Sequence, residues 1–172
     1  MMNEFEMKDI GIMKYFLGME VYQSKDEIFI CKTKYAHDML NKFDMLDCNG
    51  SPTPSAHGLV LCRDDGANLV DETTYRSIVG SLMFLTHTRP DIAFSVSLVS
   101  RYMKNPSKIH MKEAKRILRY VKDTLNFGMH YYSAENLNLV VFSDSDWGGS
   151  MDEPKYTYGN CFSFGSSLIM WS

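Results

Sequence analysis

Asp144 and Asp146 stand two residues apart at the end of the apolar run Leu139-Val140-Val141-Phe142. On a strand that spacing sends both carboxylates to one side. Clustered carboxylates suit Mg²⁺, a hard cation that takes oxygen ligands and keeps waters. Two-metal phosphodiester hydrolysis needs more acids than these two. Asp152 and Glu153 follow in a loop with no fixed direction, so a plain polar turn stands as the alternative. Asp64-Asp65 precede Gly66 and read as a turn rather than a catalytic pair. The five histidines (His37, His57, His87, His110, His130) have no metal-ligand spacing and no cysteine partner, which makes them structural or solvated. The sequence holds no Gly-x-Ser-x-Gly, Walker or dinucleotide-binding pattern.

A second chemistry lies in the charge. Between Arg101 and Lys122 stand eight Lys/Arg and one acid, Glu113, a stretch of +7 in a chain of net −3. At 100° per residue, Lys108, Lys112, Lys115, Arg119 and Lys122 fall on one helical stripe, with Arg116 beside it. Ala114, Ile117, Leu118, Val121 and Leu125 fall on another face and should pack inward. A solvated surface helix would usually interleave Glu for i,i+4 pairs. The near-absence of acids favours phosphate as the partner of the stripe.

These residues need elements to hold them. Tyr15–Tyr22, the turn Ser24-Lys25-Asp26 and Glu27–Cys31 predict a hairpin within 14–32. Thr33, a candidate N-cap, opens a short helix to Phe43. Residues 47–70, with two prolines and three glycines, predict a linker or surface loop. Helices follow at Thr74–Thr86, where Gly80 would allow close backbone approach, and at Pro90–Met103, with Asp91 at the positive helix end. A third runs from about Ser107, a candidate N-cap, to Leu125, with Gly128 just beyond. Short connections imply an antiparallel bundle. Leu139–Phe142, Asn160–Phe164 and Leu168–Trp171 then predict strands. The 172 residues, 45% apolar and 23% charged, exclude collagen, coiled coil and wholesale disorder. No apolar run is long enough for a membrane span, and the acidic MMNEFEMKDI argues against a secretory signal. Four cysteines without a framework suit a reduced, intracellular protein of cytoplasm or nucleus.

Several segments together resemble the pol polyprotein of copia-type retrotransposons. They are Asp9-Ile10-Gly11, Tyr15-Phe16-Leu17-Gly18-Met19-Glu20-Val21, Tyr75–Thr86, Thr88-Arg89-Pro90-Asp91-Ile92, Ser100-Arg101-Tyr102-Met103, Ala114–Tyr120 and Asp144-Ser145-Asp146-Trp147-Gly148-Gly149. They span nearly the whole chain in family order. The resemblance implies an α+β architecture. Residues 1–46 would be the end of a reverse-transcriptase palm with its primer-grip hairpin, and 47–73 a linker. Residues 74–132 would be a thumb-like helical bundle, and 133–172 the first strands of a ribonuclease H-like sheet.

Phe16, Leu17 and Gly18 match the primer grip. Lys108, Lys112, Lys115, Arg116 and Arg119 would face an RNA–DNA or DNA duplex template–primer, and Asp144 matches the first ribonuclease H metal ligand, for Mg²⁺. The resemblance places the Tyr-x-Asp-Asp motif upstream of Met1 and the other ribonuclease H carboxylates downstream of Ser172. Lys155-Tyr156-Thr157-Tyr158-Gly159-Asn160 also departs from the family's Lys-Ser-Thr-Ser-Gly-Tyr. The expectation is a template–primer-binding fragment of an RNA-directed DNA polymerase, without activity of its own, that associates with other Pol segments. The alternative is a non-catalytic nucleic-acid or protein binding module derived from a retroelement.

Overall fold

The structure, a computed structural model, describes residues 11–133, 137–146 and 157–171. Its first element is a tight hairpin. Strand β1 (Tyr15–Phe16) turns into β2 (Met19–Gln23) through Leu17 and Gly18, with Phe16 opposite Met19. Both turn residues have positive φ, +49° and +79°. Two successive positive-φ residues define the type I′ turn, whose twist matches that of the flanking strands. The single strand expected over Tyr15–Tyr22 is therefore broken, because Gly18 makes the turn affordable in conformational terms. Strand β3 (Glu27–Cys31) pairs with β2, and β4 (Gly128–Tyr132) pairs with β3, giving an antiparallel sheet in the order β1-β2-β3-β4.

Four α-helices lie between β3 and β4: α1 (Thr33–Lys42), α2 (Glu72–Leu85), α3 (Ala93–Ser100) and α4 (Lys108–Asp123). Thr33 is not a cap. It is the first helical residue, and its hydroxyl turns to the carbonyl of Leu125 at 3.3 Å. Helix α2 begins before Thr74, because Asp71 caps it by accepting the Thr74 N–H at 2.6 Å. Hydrogen bonding by Thr74, through its side chain first and its backbone N–H second, holds the Asp71 carboxyl below the usual carboxylate range. The helix expected over Pro90–Met103 is shorter. Pro90–Ile92 is a 3-10 turn, and α3 ends at Ser100. Gly80 has open space where a Cβ would stand, so no backbone approaches it.

The helices share one apolar core: Met39 and Leu40 from α1, Tyr75, Val79 and Leu82 from α2, Val96 and Val99 from α3, and Ile117, Leu118 and Val121 from α4. Each such side chain contributes roughly 1.5–3 kcal/mol on burial. Tyr75 keeps its polar end satisfied by donating to the Val99 carbonyl at 2.7 Å, and burial pushes its phenol pKa up.

A second antiparallel sheet has the order β5 (Leu139–Asp146), β6 (Thr157–Phe164), β7 (Ser167–Trp171). It docks on the rest through β7. The indole N–H of Trp171 donates to the Thr86 carbonyl at 3.2 Å, and the Tyr132 N–H donates to the Ser167 hydroxyl at 3.3 Å. The chain is thus a mixed α+β fold of helices and two antiparallel sheets. Among the described residues, no helix is long and apolar enough to cross a membrane.

Candidate nucleic-acid interface

Helix α4 is anchored at its start. Pro106 precedes Ser107, whose hydroxyl accepts the N–H groups of Ile109 (3.2 Å) and His110 (3.3 Å). The His110 Nδ1 accepts the Ser107 N–H at 3.0 Å, closing a capping box with histidine in the usual Glu/Gln position. An accepting Nδ1 leaves Nε2 to carry the proton, and Nε2 lies 3.1 Å from the Cys62 carbonyl. The ring is fully buried and stacked on Tyr102 at 4.0 Å. The Ser107 hydroxyl also donates to Asp65 Oδ2, and Asp65 Oδ1 accepts the Ala67 N–H at 2.8 Å. These two bonds hold the Asp65 carboxyl below its ordinary range, with the larger effect from Ser107. The irregular Asp64-Asp65 segment therefore braces a helix.

The segment between α1 and α2 is strapped along α3 and α4. Tyr102 Oη donates to the Leu61 carbonyl (2.8 Å), the Val70 N–H to Pro106 (2.9 Å) and the Lys108 N–H to Asn68 (2.9 Å). Farther along, Arg116 Nη2 donates to Thr53 Oγ1 at 2.9 Å, and the Lys122 ammonium donates to the Cys48 carbonyl. The strap therefore divides the basic stripe. Arg116 and Lys122 are engaged with the protein. Lys108, Lys112 and Lys115 are exposed, Arg119 is half-buried, and no ion pair among the described residues takes up any of the four. Glu113, the one acid of the stretch, is buried. The four cations line a groove of about 350 Å³ with Met45 and Met111. Met111 could be read from the helical wheel, since it lies beside Lys108 and Lys115. Met45 could not, because it arrives from the end of α1.

Phe16, Leu17 and Gly18 sit at the tip of the first hairpin. Phe16 is 50% and Leu17 72% exposed, and the tip lies against Phe84 at the C-terminal end of α2 rather than in the α4 groove. The structure brings four of the five basic candidates together and leaves the hairpin as a separate surface.

Asp144 is exposed on β5 opposite Gly159 of β6. It borders a cleft of about 330 Å³ whose walls include Phe94, Phe142, Leu168 and Trp171. Mg²⁺ wants several oxygen ligands. Among the described residues no group of three or more His, Cys, Asp or Glu is placed to hold a metal. Among the described residues Asp144 is the one carboxylate at this cleft. The Asp146 side chain, Trp147-Gly148-Gly149 and Asp152-Glu153 lie outside the described residues.

The family model described as reverse transcriptase (RNA-dependent DNA polymerase) matches residues 1–57. An uncharacterized mitochondrial protein of Arabidopsis thaliana is 39% identical over 168 residues, covering 98% of this chain and 70% of that protein. The retrovirus-related Pol polyprotein from transposon RE1 of Arabidopsis thaliana is 36% identical over 98% of this chain. The one from transposon TNT 1-94 of Nicotiana tabacum is 33% identical over 97% of it. The chain spans only 12% and 13% of those two polyproteins. No solved structure matches it. The chain belongs to the reverse-transcriptase family of copia-type retrotransposon Pol polyproteins.

Proposed function

We propose that this chain is the part of a copia-type reverse transcriptase that grips template–primer, an RNA–DNA or DNA duplex. Residues 1–46 then supply the end of the palm with its primer-grip hairpin at Phe16, Leu17 and Gly18. Residues 47–73 are the connecting strap, and 74–132 the thumb-like helical bundle. Residues 133–172 begin a ribonuclease H-like sheet bearing Asp144. The observation that carries this reading is the groove of Lys108, Lys112, Lys115 and Arg119, which have no acidic partner among the described residues. From Lys108 to Arg119 the helix rises about 16 Å at 1.5 Å per residue. That matches about five phosphates along one strand at 3.4 Å of axial rise each. Such contacts fix register and orientation and read no sequence.

Polymerase and ribonuclease H chemistry would belong to the assembled Pol protein and its Mg²⁺ ions, with this chain contributing grip and position. The sequence contains no Tyr-x-Asp-Asp, and the described residues gather one carboxylate rather than a cluster. The triple variant Lys112→Glu/Lys115→Glu/Arg119→Glu should weaken binding of an RNA–DNA hybrid about equally across sequences. Its salt slope should fall by about one unit per charge removed. Binding of the unaltered chain should persist in EDTA. Equal affinity of the triple variant and the unaltered chain refutes the groove as a duplex surface.

A further inference from the structure

We propose that Lys32 and Phe84 form a positioning node that fixes the Leu17-Gly18 turn to the helical bundle and so sets where the hairpin presents a primer 3′ end; the proposal rests on the template–primer reading above. The turn rests directly on an aromatic ring, since a Cβ on Gly18 would stand 3.3 Å from Phe84 Cζ. Over that same ring, at 3.4 Å from its centroid, lies the Lys32 ammonium, which also donates to the Phe84 carbonyl at 2.7 Å. Lys32 is only 3% exposed, and no acid among the described residues pairs with it. A buried lysine without a carboxylate is expensive, and desolvation pulls its pKa down. What offsets that cost is the ring face and a carbonyl at the negative end of α2.

The ring is gripped from two further sides. Tyr35 meets it edge-on at 4.8 Å and donates its hydroxyl to the Ser81 carbonyl at 3.2 Å. His87 lies edge-on at 5.8 Å, and its Nδ1 is 2.9 Å from the same Phe84 carbonyl. Lys32 is tied to the hairpin from the other direction too. Cys31, just before it, pairs with Glu20 of β2, and Glu20 accepts the Lys34 N–H at 2.8 Å. The turn is thus held by its own sheet and by α2 at once, while Phe16 and Leu17 remain exposed beyond it. A turn so clamped can hold a strand end at a fixed place, which a turn attached through its two strands alone does not.

The test uses the full chain and an RNA–DNA hybrid with a recessed DNA 3′ end carrying a photoreactive group on its last nucleotide. Crosslinks of the unaltered chain should concentrate on residues 16–18. Lys32→Met, which keeps an apolar stem in the buried position, and Phe84→Leu should each lower that yield about tenfold. Overall hybrid affinity, set by the α4 groove, should stay as it was. Phe84→Tyr, which preserves the ring face, should restore the crosslink. If Phe84→Leu does not fold, Lys32→Met decides alone. Unchanged crosslinking in the folded variants overturns the node and leaves the template–primer reading standing. Hybrid binding by the unaltered chain without any crosslink to 16–18 overturns the hairpin's role and the node with it. Absence of hybrid binding overturns the reading itself.

Discussion

Replacing Arg89 should damage this fold more than any surface charge change. The guanidinium is 2% exposed, yet every face of it is used. Its Nε and Nη2 form a bidentate pair with Asp91 at 2.8 and 2.7 Å. Nη1 and Nη2 reach the Thr124 carbonyl and hydroxyl at 2.9 and 2.7 Å, and the rings of Tyr120 and Phe127 flank it at 5.7 and 5.2 Å. The residue therefore ties the turn before α3 to the end of α4. Removing one partner of a buried pair costs about 3–5 kcal/mol. The Asp91 side chain is 30% exposed and keeps some water, which places Arg89→Ala near the lower end, about 3 kcal/mol. For a chain of this size that lowers the melting temperature by about 6–12 °C. Urea unfolding followed by circular dichroism should show the midpoint falling with an unchanged slope. Arg89→Lys should recover only part, because an ammonium is a point charge and does not span Asp91 and Thr124 together. Arg89→Ala/Asp91→Ala should be less than additive, since the second change removes the stranded carboxylate. A loss below about 1 kcal/mol for Arg89→Ala, the scale of an exposed pair, refutes the staple.

Two further outcomes follow from the other polar sites. Ser107→Ala removes the cap of α4 and should cost about 1–2 kcal/mol in urea unfolding. It should also flatten the acid limb of the stability profile. The Asp65 carboxyl is held low by that hydroxyl, so its stabilisation is present above the unfolded carboxylate value of about 3.9 and is lost as pH falls through the lower folded value. An acid limb that is the same in both proteins contradicts this. Lys32 gives a slope of the same sign in the alkaline range. Its folded pKa is depressed, so between that value and the unfolded one, about 10.4, the unfolded chain binds the extra proton and stability rises with pH. Lys32→Met should abolish that alkaline rise, and a rise that persists would assign it to another group.

The parts of this fold that were legible in the sequence are those decided within a few residues. Ser107 after Pro106, followed by apolar residues at helical spacing, announced α4 and its cap. The apolar runs 139–142, 160–164 and 168–171 announced the second sheet. Gly128 does lie beyond the helix end, but the strand it opens is not legible, for a reason that is also local. A glycine that stops a helix and a glycine that opens a strand look alike when both follow a helix end. What decides is distant: a Cβ there would stand 2.5 Å from the Ile30 carbonyl, so this residue belongs to the β3–β4 ladder. Arg89 and Lys32 hid in the same way. Each is a charged residue beside an element boundary, and nothing nearby in the chain tells of burial against Thr124 or Phe84.

The basic stripe shows what such distance does to a functional reading. Helical geometry alone aligned the cations, and that alignment was right. It treated them as equivalent, which they are not, because Thr53 and Cys48 come from 63 and 74 residues away to engage Arg116 and Lys122. A cation already bonded to the protein must give up that bond before it can neutralise a phosphate, and its net gain is correspondingly small. The four that line the groove have no ion pair among the described residues to exchange. The sequence therefore locates the charge on α4, and the strap determines which part of it is bonded to the protein.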